Sequence, residues 1–364
     1  MLRNTLLIAF FLSNACLYAE EGYDVRLIKN SKSFSQVIAV NANLEVLGVR
    51  EVADGPTSAL RNFFRRGDSE IELQPPKEFT NLEVQALSDT GLVVGYLSRN
   101  LGNVDGSLHA FMWDSKTKQL VTLSPLEGDL TSHAQDINAD GTRITGYSTG
   151  NNPSRMRPCV WEWKAEAKSW KAVELPSIVE RNPYLQASQV VISPNGKRIA
   201  ASITEAQLAE FAYDSSLFVW EREKDGNWQS RKVSDEQPKL KDINDDGVMV
   251  GSISDGVTTQ ACRIELSGKT DHLGFLPGDV SSTAYGITNS GVIIGYSDDP
   301  PGNDGGPQAF VWKSGVLSAL ALPDDTVDSA ALTINQQGVV GGFILQGESP
   351  DASISAFIAT PKRN

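Results

Sequence analysis

Four aspartates stand at matched places along this chain. Asp129, Asp235 and Asp279 each lie eight residues before a short aliphatic motif, at Ile137, Ile243 and Ile287, and Asp325 lies nine before the next one, at Ile334. Carboxylates at a recurring place converge on one surface if the chain itself repeats, and such a set attracts a cation or a basic partner. A second group, Asp105, Asp298, Asp299 and Asp304, falls in longer segments rich in Gly and Asn. These eight are the candidate ligand-binding residues. The competing explanation is that each aspartate caps its own loop through an Asx turn. Runs such as Asn244-Asp245-Asp246-Gly247 resemble pieces of calcium loops but lack the further acids that complete a six- to eight-oxygen shell. Calcium is the one cation these runs suggest, and no other cofactor or metal is indicated.

No residue stands out as catalytic. A catalytic histidine needs a nucleophile or carboxylate held beside it. His109, His133 and His272 fall at three different places in the pattern described below: a third strand, a connector between units and a fourth strand. Cys159 and Cys262 both occupy a third-strand position usually held by Phe, in units that are not neighbours. A disulfide needs Cα atoms within ~7 Å, so two free buried thiols are expected. Neither has His or Cys at zinc-ligand spacing.

The elements that position these residues are repeats. An aliphatic residue, often followed by Asn, then two turn residues, Gly, an aliphatic pair and a small residue recur as LSDTGLVVG, INADGTRITG, ISPNGKRIAA, INDDGVMVG, ITNSGVIIG and INQQGVVGG. A seventh copy, VNANLEVLG, has Leu44 in the glycine slot, and Asn43 is expected to take the left-handed conformation there. Asn, Asp and Gly at these places make tight hairpins. A third strand follows, as in HAFMW, LFVW and AFVW, and a fourth closes most units. Four strands per unit and seven units point to a seven-bladed β-propeller, an all-β fold. The last unit lacks its fourth strand, and Tyr23 to Ser31 is of the right type to supply it. That pairing would close the ring and remove an exposed sheet edge.

Such a ring has two unlike faces. One carries the tight hairpin turns. The other carries the connectors between blades and the long loops between second and third strands, where the eight aspartates lie. Binding concentrates in loops on a rigid scaffold, so the loop-rich face is expected to hold a protein, glycan or cation.

The His109-Ala110-Phe111 triplet, the AFVW at Ala309 to Trp312 and the run LGFLPGDVSSTAYGITNSGVIIGYS resemble the HAF repeat family of bacterial extracellular proteins. The unit ISPNGKRIAA is also similar to the repeats of TolB-type propellers. The HAF resemblance implies an exported, repeat-built β protein, sometimes attached to the cell surface, and implies no reaction.

The first residues fit that expectation. Arg3, the apolar run Leu6 to Leu12 and the small residue Ala19 read as a signal peptide over residues 1–19, leaving 20–364 as one propeller domain. Cys16 is an alternative lipid-attachment point. The run is shorter than the ~20 residues of a bilayer span, and no transmembrane segment is expected. A formal charge of -13 with no basic stripe disfavours nucleic acid. The expected function is therefore an exported binding or scaffold propeller, secreted, periplasmic or on the cell surface. A secreted hydrolase or lyase acting on a lactone or polysaccharide, and a structural surface repeat protein, are the alternatives.

Overall fold

A computed structural model describes residues 22–28, 34–54, 57–99, 108–152, 155–176, 185–207, 212–300, 305–347 and 352–362. The leader, Asp105 and Asp304 lie outside the described residues. The protein is a seven-bladed β-propeller: seven antiparallel four-stranded sheets, each ordered from an inner strand at the axis to an outer strand at the rim. In six blades the four strands are consecutive. Blade seven takes its outer strand from the other end of the chain. Tyr23–Ile28 pairs antiparallel with Ser353–Pro361, from Tyr23 opposite Pro361 to Ile28 opposite Ala356.

The hairpins follow the expected turn chemistry, with one correction in blade one. There Leu44, not Asn43, adopts the left-handed conformation, at φ 59°. The Asn41 side chain holds it: Oδ1 accepts from the amides of Asn43 and Glu45, both at 3.0 Å. The other six turns have a positive-φ glycine in that slot.

The small residue ending each motif has a different cause. Every inner strand carries a register irregularity, for instance between Val84 and Ala86 and between Ala134 and Asp136. A bulge puts an extra residue into one strand and kinks it toward its partner. At the kink the inner backbone presses on the second strand, so a Cβ on Gly146 would collide with the His133 carbonyl oxygen.

Apolar side chains fill the seams between blades. Seven buried clusters occupy the seven seams, including the closing one, where Val37, Val40 and Phe63 of blade one meet Val339 and Ala356 of blade seven. Phe111 and Trp113 share the seam between blades one and two, as their alternation requires. Polar stitches cross the same seams. The amide of the alanine in the HAF-like strands, Ala110, Ala261, Ala309 or Ala356, donates to a buried serine at the start of the next inner strand, Ser132, Ser282, Ser329 or Ser35, at 2.9–3.1 Å.

The hairpin-turn face carries a closed belt of such bonds. Ala42 N donates to Asp89 Oδ1 at 2.8 Å, Asp89 N to Ala139 O at 2.9 Å and Ala139 N to Pro194 O at 3.0 Å. Asn195 N donates to Asp245 Oδ1, Asp245 N to Asn289 Oδ1 and Asn289 N to Gln336 Oε1, each at 2.8 Å. Asn335 Nδ2 completes the circle on Asn41 O at 2.9 Å. The turn residues, mostly Asn and Asp, therefore also join each blade to the next; between blades three and four the link is the backbone bond from Ala139 to Pro194.

Candidate functional site

The bulge re-aims one side chain per blade into the axial channel. These residues are Ile38, Gln85, Gln135, Gln189, Lys241, Tyr285 and Leu332, and all seven line one cavity of about 400 Å³. The turn residues Asn41, Asp89, Ala139, Pro194 and Gln336 also line it, so it lies toward the hairpin-turn face. The collar has two arcs. Blades two to five contribute three carboxamides and an ammonium; blades six, seven and one contribute Tyr285, Leu332 and Ile38.

Two carboxylates sit just past the bulge. Asp136 accepts from Ile137 N through Oδ1 and from Ile192 N of the next blade through Oδ2, both at 2.8 Å. Asp242 repeats the arrangement with Ile243 N at 2.7 Å and Ile287 N at 2.9 Å. Both lie deep along the axis, with part of their surface on the cavity. Burial pushes each carboxyl up to about 7, outweighing the amide donors, which pull the other way; the Asp242 charge adds to the rise at Asp136. Gln135 Oε1 likewise accepts from Val190 N at 2.9 Å.

The Lys241 ammonium stands 4.7 Å from the centre of the Tyr285 ring. Among the described residues it makes no hydrogen bond or ion pair. Burial lowers its pKa, and the nearby Lys239 charge lowers it further.

The sequence-predicted aspartates lie elsewhere, and the structure divides them. Asp129 is buried against Arg157, whose Nε donates to its Oδ2 at 3.0 Å. Asp235 is exposed and paired with Lys232. Asp325 accepts from Gln346 Nε2 at 2.8 Å. These three have local partners and do not form a common group. Asp279, Asp298 and Asp299 do come together, with Asp328, which sequence reasoning missed. Burial, then Asp299 and Asp279, raises the pKa of Asp298; burial, then Asp298 and Asp299, raises that of Asp328. The convergence expected of the carboxylates is thus limited to a patch on blades six and seven. Among the described residues no group of three His, Cys, Asp or Glu is placed to hold a metal ion.

One histidine, His133, is structural in its surroundings. His133 lies in an inner strand, Thr131–Ile137, and not in a connector as the sequence reading has it. Its ring is sandwiched between Tyr96 and Tyr147, with centroids 4.2 and 4.9 Å away, and burial lowers its pKa to about 4. Cys159 and Cys262 are free and buried as expected, and burial raises both thiols, Cys262 to about 12.

Sequence reasoning missed the collar, Asp136 and Asp242. The signal was present: the collar residue stands two places before the aliphatic anchor in six units and three before it in blade four. Asp-Ile-Asn occurs twice, at Asp136 and Asp242.

No protein-family model matches the chain, and no curated protein sequence matches it significantly. Its solved structural neighbours are propellers of low identity. The β-propeller domain of the Trilobed protease from Pyrococcus furiosus superposes with a TM-score of 0.56 at 9% identity, over 90% of this chain and 94% of that domain. That domain is described as having an open velcro topology, whereas the present ring is closed by strand pairing. The acylaminoacyl peptidase of Pyrococcus horikoshii gives 0.54 at 10% identity, over 91% of this chain; the chain spans about half, 53%, of that enzyme. Puromycin hydrolase gives 0.53 at 15% identity, over 87% of this chain and 50% of the other. At these identities the likeness is one of fold.

Proposed function

We propose that this is an exported binding propeller that captures a small polar ligand at its axis. The collar carries the reading: all seven blades spend a bulge on pointing one side chain into a single cavity, four of them polar along one arc. Its volume falls within the range of about 300–1,000 Å³ usual for ligand sites. The basic, apolar leader and the HAF-like repeats support export; fractionation with N-terminal sequencing tests it, and a mature start after Ala19 is expected.

The axial site is tested against the loop-rich face in one experiment. Gln189→Trp fills the cavity without removing any hydrogen bond of the Gln189 side chain among the described residues. Asp298→Asn with Asp299→Asn alters the acidic patch. Small polar metabolites are screened by thermal shift. Ligands that stabilise the parent protein are expected to lose their effect in Gln189→Trp and keep it in the double variant; the reverse pattern moves the site to the loop-rich face.

A second reading, a hydrolase or lyase acting on a lactone or polysaccharide, has one observation in its favour. Asp136 and Asp242 are two raised carboxyls on one cavity, and such groups mark active sites. Their oxygens are engaged by backbone amides joining adjacent blades, which favours a stapling role. Turnover of any lactone or glycan, abolished by Asp136→Asn in a folded protein, would establish the enzyme.

A further inference from the structure

The collar also indicates what kind of ligand it accepts, an inference that rests on the axial site. In a chain of formal charge -13, an ammonium away from bulk water ordinarily has a carboxylate beside it. Lys241 is half-buried in the cavity and pairs with no carboxylate among the described residues; the neighbouring charge that perturbs it is Lys239, another ammonium. No hydrogen bond or ion pair among the described residues joins it to the two axial aspartates, whose oxygens accept instead from Ile137, Ile192, Ile243 and Ile287.

Beside Lys241 the polar arc supplies further donors. Gln135 spends its Oε1 on Val190 N, which leaves its amide NH₂ unused among the described residues. The side chains of Gln85 and Gln189 make no hydrogen bond among the described residues, and both line the cavity. Opposite them stand Tyr285, Leu332 and Ile38, which offer apolar surface and one phenol. A ligand matching both arcs carries a negative group, neutral polar groups near it and an apolar face behind.

We propose that the cavity binds a small organic carboxylate with hydroxyl groups on one side and an apolar face on the other. Lys241 pairs with the carboxylate, the carboxamides of Gln85, Gln135 and Gln189 take the hydroxyls, and the apolar face packs on Leu332 and Ile38. A free phosphate would satisfy the ammonium but leave the apolar arc without a partner, so a carboxylate with a hydrocarbon face is favoured over an inorganic anion. The overall negative field repels anions at long range but is screened beyond about 8–10 Å at physiological salt. Selection for the anion is thus a local matter for Lys241.

The test uses matched pairs that differ in charge: galacturonate against galactose, and 4-hydroxybenzoate against 4-hydroxybenzyl alcohol, with inorganic phosphate as a third arm. Binding to the full protein is measured by calorimetry. At least one acid is expected to bind about tenfold or more tightly than its neutral twin, with phosphate weaker than that acid. Lys241→Met removes the preference, Lys241→Arg retains most of it, and Lys239→Met changes it less than about threefold. Neutral twins binding as tightly as the acids, or a preference that survives Lys241→Met, overturns the proposal. If neutral compounds bind in a way that Gln189→Trp abolishes while acids do not bind, the axial site stands and the carboxylate reading falls. If neither acids nor neutral twins bind in a Gln189-dependent way, both fall. Phosphate binding tighter than either acid reduces the site to an inorganic-anion site.

Discussion

Single side chains in this propeller carry backbone strain and titration that can be measured. Leu44 holds a left-handed φ that costs a residue with a Cβ roughly 1–2 kcal/mol. Leu44→Gly is expected to raise stability by up to about 1 kcal/mol, after the entropy cost of glycine, read as a higher urea midpoint. Asp136 and Asp242 give the protein a pH dependence of definite sign. Each carboxyl is raised from 3.8 to about 7, so between those values the native state holds protons that the unfolded chain releases. Their contribution is whole below about pH 4 and is lost as the pH rises through about 7. His133 runs the other way: lowered from 6.5 to about 4, it contributes fully above 6.5 and loses that contribution as the pH falls through 4. In a His133→Phe background, which removes the larger opposing term and leaves the smaller one from His109, lowered by burial and then by Arg99, stability is expected to fall from about pH 4 to 7. Replacing both aspartates by Asn should flatten that slope. Asp136→Asn alone should cost about 1–3 kcal/mol at either end, because an amide can accept from only one of the two backbone donors without turning its own NH₂ toward the other.

At the scale of strands, the inner bulge explains both what the sequence revealed and what it hid. Turns were legible because Asn, Asp and Gly have local conformational preferences, as at Asn138 to Gly141. Third strands were legible because Phe111 and Trp113 alternate at the period of a strand. The bulge is a relation between two strands, and nothing local marks Gln85 or Lys241 as the extra residue. The final small residue of the motif was visible, but its cause, the collision awaiting a Cβ at Gly146, lies in the partner strand. The eight aspartates form two sets, one at a matched place in the connectors and one in the long loops, and the sequence groups them only by the face they share. Arg157, which pairs with Asp129, stands in a third strand but just ahead of its repeated Pro158-to-Trp161 segment, where the repeat does not fix the residue type. Two expectations belong here. Gly146→Ala should destabilise by about 2–3 kcal/mol, since the overpacked contact is with backbone. Ser132→Ala should cost about 1–3 kcal/mol by leaving the buried Ala110 amide without an acceptor. Equilibrium denaturation of the two variants checks both.

The whole molecule is a ring of near-equivalent seams, and its count, strand order and closure were all readable from spacing. Closure by Tyr23–Ile28 has a direct test. Removing residues up to Ile28 bares the edge of Ser353–Pro361 and uncovers Phe357 and Ala359. A lower melting temperature and faster amide exchange in Ser353–Pro361 are expected; unchanged exchange there would show that the ring does not depend on the pairing. The same closure leaves the first and last described residues of the propeller side by side, with Lys362 N donating to Gly22 O at 2.9 Å. A short turn grafted between those two residues would make blade seven a run of four consecutive strands like its neighbours. The ends could then be reopened at Glu127-Gly128, before blade three, turning the former outer strand into an ordinary continuation of the blade. A circular permutant of this kind should fold to the same wheel with the same axial pocket. Where the wheel begins would then be an accident of transcription order, and not a requirement of its architecture.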